Sequence, residues 1–131
     1  MKKINLIIIG MGDQGKIIKH LVSLFKKSYN FLGFVDDNNP SKCLGGVNEL
    51  SLLKKKLGNF KIFIAIAKNS AREKIFKKIQ KSGFEFASFI HPTVVVEKGV
   101  KLGKNVFLGA KAIININIAE NPINKYPIVF E

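Results

Sequence analysis

Three glycines near the start of the chain have the spacing of a phosphate-binding turn. Gly10, Gly12 and Gly15 follow a continuous apolar run, Ile4 to Ile9, and precede a helical pattern. Gly10 permits a tight turn, Gly12 leaves room for a phosphate beside the backbone, and Gly15 lets the helix pack closely. The first N–H groups of that helix lack internal partners and favour an anion. A glycine-rich turn without a ligand is the alternative. The candidate phosphate-binding residues are Gly10, Gly12, Asp13, Gln14 and Gly15.

Two further polar segments also follow apolar runs. Asp36 and Asp37 end the run from Phe31 to Val35, and Asp36 lies 21 residues beyond Gly15. An acidic residue at that place in a βαβ nucleotide-binding unit accepts hydrogen bonds from ribose hydroxyls. The alternative is that both acids only stabilise a turn. Lys68-Asn69 follows a third run. Because ligands bind beyond the carboxyl ends of parallel strands, we expect all three segments to meet in one crevice.

Strand-like and helix-like patterns alternate over the first 90 residues. The predicted strands are Ile4–Ile9, Phe31–Val35, Phe60–Ile66 and Phe84–Ile90. The predicted helices cover 15–27, Leu50–Leu57 and a segment that starts at Ser70 with a Ser70…Glu73 capping box and ends at Ser82-Gly83. This alternation predicts an α/β fold with a four-stranded parallel half-Rossmann sheet and flanking helices. Four strands are about half of a dinucleotide fold, which favours a mononucleotide or nucleotide sugar over NAD.

After His91-Pro92 the period changes to six residues. Apolar residues recur at Val96, Leu102, Leu108 and Ile114, which is typical of the hexapeptide repeat of a left-handed parallel β-helix. The repeat breaks at Glu120, so it provides about four hexapeptides, little more than one coil. The sequence therefore predicts a Rossmann-like domain at 1–90, the start of a left-handed β-helix at 91–119 and an irregular tail at 120–131.

Composition narrows the classes of partner. The net charge is +13, yet only one of the 22 basic residues, Arg72, is an arginine. Lysines at the polar positions of helices indicate a solvated surface, so we expect no nucleic-acid partner. The single cysteine allows no internal disulfide, and no metal-ligand spacing is present, which favours a cytoplasmic protein without a metal. The N-terminal apolar run is too short to cross a bilayer, so we expect no membrane partner.

A half-Rossmann unit followed by His-Pro and hexapeptides resembles the bacterial sugar acetyltransferases of the NeuD/PglD type. This family comprises sialic acid O-acetyltransferases and UDP-4-amino-sugar N-acetyltransferases. The segments that carry the resemblance are 10–16, 33–38, 63–66 and 91–96, read as GMGDQGK, GFVDDN, FIAI and HPTVVV. The likeness extends over residues 1 to about 118.

The resemblance implies roles for the matching residues. In this family the N-terminal domain binds a UDP-sugar, and the β-helix trimerises, binds acetyl-CoA and supplies a catalytic histidine. The three glycines match the phosphate loop, Asp36 and Asp37 match a uridine contact, and Asn69 matches a loop asparagine. Ala67 and Lys68 stand where the family often has Gly and Asp, and Gln14 stands where it often has His.

The expected function is that of a UDP-sugar-binding domain from an acetyl-CoA-dependent sugar acetyltransferase of surface glycan biosynthesis. No histidine follows His91, which matches the structural His-Pro of the family, so we assign no catalytic residue. We expect the sequence as given to be catalytically incomplete, with too few coils to hold coenzyme A or to form the family's trimer. The alternatives are an NAD(P)- or CoA-binding regulatory module and a basic nucleic-acid-binding protein.

Overall fold

A computed structural model describes residues 3–25, 28–90, 93–96, 103–108, 113–114 and 128–129. The chain divides into two compact units, Met1–Glu85 and Phe86–Glu131. Strands and helices alternate in the first two described ranges, 3–25 and 28–90. The elements are β1 (Ile4–Ile9), α1 (Asp13–Val22), β2 (Tyr29–Val35), α2 (Leu50–Leu57), β3 (Lys61–Ile64), α3 (Asn69–Lys81) and β4 (Glu85–Phe86), with 3₁₀ turns at Ser23–Phe25, Pro40–Lys42 and Val47–Glu49. None of the helices in these ranges is long and apolar enough to cross a bilayer.

The strands form one four-stranded sheet in the order β2-β1-β3-β4. β1 lies inside this sheet and pairs in parallel with β2 on one side and with β3 on the other. Its residues Leu6 to Ile9 are at most 1% exposed. A strand covered on both faces needs a continuous apolar run, and Leu6 to Ile9 meets that requirement. The predicted α/β class with a parallel half-Rossmann sheet is confirmed.

The strand order places a crevice next to β1. The chain leaves β1 through α1, which packs on β1 and β2, and it later returns to β3 on the opposite side of β1. Connections that leave adjacent strands in opposite directions open a gap beyond the carboxyl ends of those strands. The Ile9 carbonyl is part of this edge, since it accepts a hydrogen bond from the Ala65 N–H at 2.8 Å.

Several predicted boundaries differ from the structure. α1 starts at Asp13, directly after Gly12, and tightens into a 3₁₀ turn after Val22. α2 ends at Leu57 before Gly58, as predicted. The predicted capping box of α3 is wrong: the helix begins at Asn69, and no side chain caps it. The Glu73 carboxylate instead pairs with Lys77 one turn later at 3.3 Å.

The predicted fourth strand is two short strands. Glu85–Phe86 joins the four-stranded sheet as β4, whereas Phe89–Ile90 forms β5 in a separate sheet. The C-terminal unit continues with β6 (Val95–Val96), β7 (Phe107–Leu108), β8 (Ile113–Ile114) and β9 (Ile128–Val129).

Within the C-terminal unit, parallel pairing follows the hexapeptide period. Phe89 pairs with Phe107 and Val95 with Ile113, in both cases 18 residues apart. Eighteen residues are three hexapeptides, the length of one coil. β9 also pairs in parallel with β7, so the tail that was predicted to be irregular contains a strand. Leu102 lies outside the described residues, and the left hand of the coil stays a prediction.

Candidate functional site

A cleft of about 530 Å³ lies beyond the carboxyl ends of β1, β2 and β3. The ends of β1 and β2 are joined there by a backbone hydrogen bond from the Gly10 N–H to the Val35 carbonyl at 2.8 Å. The volume falls within the range of small-molecule sites. The lining residues are Ile9, Gly10, Gly12, Asp13, Gln14, Asp36, Asp37, Asn38, Val47, Ala65, Ile66, Ala67, Ala71 and Ile75.

The glycine turn has a packed side and an open side. Gly10 has a φ of +101°, and a Cβ at this position would lie 2.8 Å from the Ala65 carbonyl oxygen. A Cβ on Gly15 would lie 1.8 Å from the carbonyl oxygen of Gly10, so α1 can approach the turn only with glycine there. A Cβ on Gly12 would meet no atom within 4 Å. Gly12 therefore faces open space in the cleft, directly before the first N–H groups of α1.

Asp36 connects the end of β2 to the glycine turn. One carboxylate oxygen accepts a hydrogen bond from the Met11 backbone N–H at 2.9 Å, and the other accepts one from the Asn38 N–H at 2.8 Å. The side chain is partly buried and still lines the cleft. A carboxylate oxygen has two lone pairs, so each can accept a further hydrogen bond from a ligand hydroxyl.

Asp37 brings a third segment to the cleft. Its Oδ1 accepts a hydrogen bond from the Val47 N–H at 2.8 Å, and the neighbouring Gly46 N–H donates to Glu49 Oε1 at 3.1 Å. Two carboxylates therefore hold consecutive N–H groups of the loop after Gly45. This fixes the buried Val47 in the lining of the cleft, next to the exposed Asp37.

The sequence-predicted site residues occupy three kinds of position. Most of them line the cleft together: Gly10, Gly12, Asp13, Gln14, Asp36 and Asp37. Gly15 lies behind the turn, against the Gly10 carbonyl. Lys68 and Asn69 do not line the cleft. Lys68 precedes α3, and the Asn69 side-chain oxygen accepts a hydrogen bond from Arg72 at 2.5 Å.

Sequence reasoning missed the apolar wall of the cleft and the arginine behind it. The wall consists of Ile66 and Ala67, which lie in the loop between β3 and α3, and of Ala71 and Ile75 in α3. Arg72 is 7% exposed and donates to the carbonyls of Ile66 at 2.8 Å and Ala67 at 3.2 Å. Burial lowers the pKa of its guanidinium, which nevertheless remains charged at neutral pH. Its rarity, as the only arginine of the chain, was the signal in the sequence that could have assigned it to the site.

The cleft is chemically suited to hydrogen bonding. Its lining includes three carboxylates and no basic side chain. No group of three or more His, Cys, Asp or Glu suited to a metal ion occurs in the described ranges. The glycine turn and the N-terminus of α1 provide N–H donors, and Asp36 and Asp37 provide acceptors. Donors for an anion at one end and acceptors for hydroxyls at the other are typical of α/β nucleotide-binding domains.

The family is shown by comparison with known proteins. A family model described as the PglD N-terminal domain matches residues 5–79, more than half of the chain. The chain therefore belongs to the PglD N-terminal domain family, and the resemblance to sugar acetyltransferases of the NeuD/PglD type is confirmed.

Characterised relatives of the chain are sugar acetyltransferases. UDP-N-acetylbacillosamine N-acetyltransferase of Bacillus subtilis strain 168 is 26% identical over 113 residues, which are 81% of this chain and 51% of that protein. The chain is also similar to PerB of Caulobacter crescentus, solved in complex with CoA and GDP-perosamine (TM-score 0.67, 29% identity, 85% of this chain and 54% of that one). A third similar structure is the acetyltransferase domain of PglB from Neisseria gonorrhoeae FA1090 in complex with acetyl coenzyme A (TM-score 0.64, 27% identity, 86% and 56%). The chain spans little more than half the length of each of these proteins.

Proposed function

We propose that this chain is the nucleotide-sugar-binding part of an acetyl-CoA-dependent sugar acetyltransferase, and that the cleft beside the glycine turn holds a UDP-sugar. The observation that carries the proposal is the 2.9 Å hydrogen bond from the Met11 N–H to Asp36. It joins the phosphate-binding turn to the carboxylate expected to bind ribose, so both ends of a nucleoside diphosphate have partners in one cleft. The relatives supply the class of ligand, because PerB was solved with a nucleotide sugar.

The parts of the proposed ligand fit different parts of the cleft. The diphosphate lies over Gly12 and the first N–H groups of α1, where no Cβ obstructs it. The ribose hydroxyls donate to Asp36, and the base lies near Asp37 and Val47. The sugar extends along the apolar wall toward Ala71 and Ile75 of α3. Uridine is the base implied by the resemblance, and GDP-perosamine in PerB makes guanosine the competitor to be tested.

The proposal assigns no acyl-transfer step to this chain alone. Removal of a proton from an amine or hydroxyl requires a base within hydrogen-bond reach of the acceptor atom. The cleft has no histidine, and two of its three carboxylates, Asp36 and Asp37, are engaged with backbone N–H groups. We therefore propose that the chain binds the acceptor substrate, and that the base and most of the acetyl-CoA site come from outside this sequence.

A thermal-shift and calorimetric panel on the full chain tests this function. The panel comprises UDP, a UDP-amino sugar, GDP, GDP-mannose, NAD, CoA and a 20-mer DNA. We expect a UDP compound at 100 times its dissociation constant to add about 2.7 kcal/mol to the free energy of unfolding. We expect no acetyl transfer from acetyl-CoA to the UDP-amino sugar. Stabilisation by NAD or CoA alone would replace the proposal with a regulatory module, and salt-dependent DNA binding alone would replace it with a nucleic-acid-binding protein.

A further inference from the structure

Within the part of the chain that the structure describes, Arg72 is a buried cation without a counter-charge. The acceptors of its guanidinium there are neutral: the carbonyls of Ile66 and Ala67 and the side-chain oxygen of Asn69. Its Nε is buried and has no hydrogen-bond partner. Neither of the ion pairs found in the described ranges, Lys61–Glu85 and Lys77–Glu73, includes it. Burying a charge is costly unless an opposite charge compensates it, so the arrangement calls for an anion nearby.

The position of Arg72 in its helix adds to the positive potential of its uncompensated charge. It lies in the first turn of α3, where the helix dipole disfavours a cation. No acidic residue lies in that turn, and Lys68 occupies the position before it. The α1 N-terminus differs, because Asp13 in its first turn offsets the dipole.

The cleft is therefore electrically asymmetric. Asp36 and Asp37, which directly follow β2, line one side of it, and both repel a phosphate. On the other side the lining residues Ile66 and Ala67 are held by the Arg72 guanidinium, one layer behind the wall. A diphosphate over the glycine turn is therefore drawn toward this second side and away from the Asp36 and Asp37 carboxylates.

We propose that Arg72 is a positioning residue that draws the diphosphate of the ligand to the β3–α3 side of the cleft and is neutralised by it. The inference rests on the proposed function and deepens it. It assigns Asp36 and Asp37 to the nucleoside, and the part of the glycine turn nearer Arg72 to the diphosphate. Nη1 of the guanidinium donates to both carbonyls and Nη2 donates to Asn69, a planar set of bonds that the single ammonium of lysine would match only in charge.

The test measures how much the diphosphate adds to nucleoside binding. Dissociation constants for uridine and UDP, and for guanosine and GDP, are measured by calorimetry with the full chain. The quantity compared between variants is the dissociation constant of the nucleoside divided by that of its diphosphate. The variants are Arg72→Gln, which removes the charge, Arg72→Lys, which keeps it, and Lys74→Gln, which removes an exposed charge on the same helix.

We expect Arg72→Gln to lower this ratio about tenfold, while nucleoside binding changes much less. Arg72→Lys should retain most of the ratio, and Lys74→Gln should leave it unchanged because solvent screens an exposed charge. An equal loss for nucleoside and diphosphate would reduce Arg72 to a structural role and overturn the inference. An unchanged ratio in Arg72→Gln would overturn it as well, and in both cases the proposed nucleotide site stands. If the wild-type chain binds no nucleoside diphosphate, the proposed function itself is wrong.

A second measurement decides the question should Arg72→Gln fail to fold. A buried charge is screened by salt far less than surface lysines are. Between 50 and 300 mM NaCl, we expect the affinity of the wild-type chain for UDP to fall by no more than about twofold. A steep salt dependence would assign the attraction to exposed lysines and overturn the role of Arg72.

Discussion

The two sides of the glycine turn use the same residue for different physical reasons. On the packed side, Gly15 is required because any Cβ would overlap the Gly10 carbonyl oxygen at 1.8 Å. On the open side, Gly12 has an extended backbone, with φ of −74°, and space around it that a Cβ could occupy. The fold needs Gly15, whereas it can tolerate a side chain at position 12. What Gly12 keeps free is the volume in front of the α1 N-terminus.

Within the six residues of the turn, 10–15, some positions therefore determine the stability of the fold and others determine ligand binding. A substitution on the packed side should act on the free energy of unfolding, and one on the open side should act on ligand affinity. Asp36 stands between the two, because it holds the turn in place and also faces the cleft.

Gly15→Ala is expected to have the largest effect on stability. Helix propensity alone would make alanine about 1 kcal/mol more favourable than glycine at a helical position. Here the Cβ would require α1 to move away from the turn, and such overpacking outweighs propensity. We expect the free energy of unfolding, measured by urea denaturation, to fall by more than about 3 kcal/mol. A stable Gly15→Ala protein would show that α1 does not depend on this close approach.

Asp36→Ala is expected to have an intermediate effect on stability and a large effect on binding. The variant removes two charge-assisted hydrogen bonds from backbone N–H groups, those of Met11 and Asn38. We expect a loss of about 2–3 kcal/mol in the free energy of unfolding and loss of detectable UDP binding by calorimetry.

Glu85→Ala is the matched control for that variant. It removes an acidic side chain at the start of β4, from an exposed ion pair with Lys61 at 4.0 Å. Such a pair contributes less than about 1 kcal/mol. If Asp36→Ala kept the wild-type affinity for UDP, the assignment of the ribose to Asp36 would be wrong, whatever the stability of the variant.

Much of this site could be predicted from the sequence because it depends on short-range patterns. A glycine spacing after an apolar run specifies a strand, a turn and a helix, and parallel strands bring the following polar segment to the same edge. Gly12 and Asp36 could therefore be placed in one cleft although they are far apart in the chain.

The other features could not be predicted because alternative interactions compete for the same residues, and local sequence patterns do not show which of them forms. Ser70 and Glu73 fit a capping box, but Glu73 also lies one helical turn from Lys77, and the ion pair forms instead. Arg72 occupies a helix position where a charged residue is normally solvated, and only its contacts with Ile66 and Ala67 bury it. The apolar run Phe84–Ile90 reads as one strand, yet its two halves pair in different sheets.

Gly12→Ala should have the smallest effect on stability, and it provides the sharpest test of the open side. The backbone at position 12 is accessible to any residue, and the added methyl group meets no protein atom. Alanine is a poorer helix N-cap than glycine, so we expect a loss of less than about 1 kcal/mol in the same urea experiment. The methyl group would occupy the space in front of the first N–H groups of α1, so UDP affinity should fall by about tenfold or more while uridine affinity changes less. Equal affinity of Gly12→Ala and the wild type for UDP would show that the diphosphate does not lie over this turn.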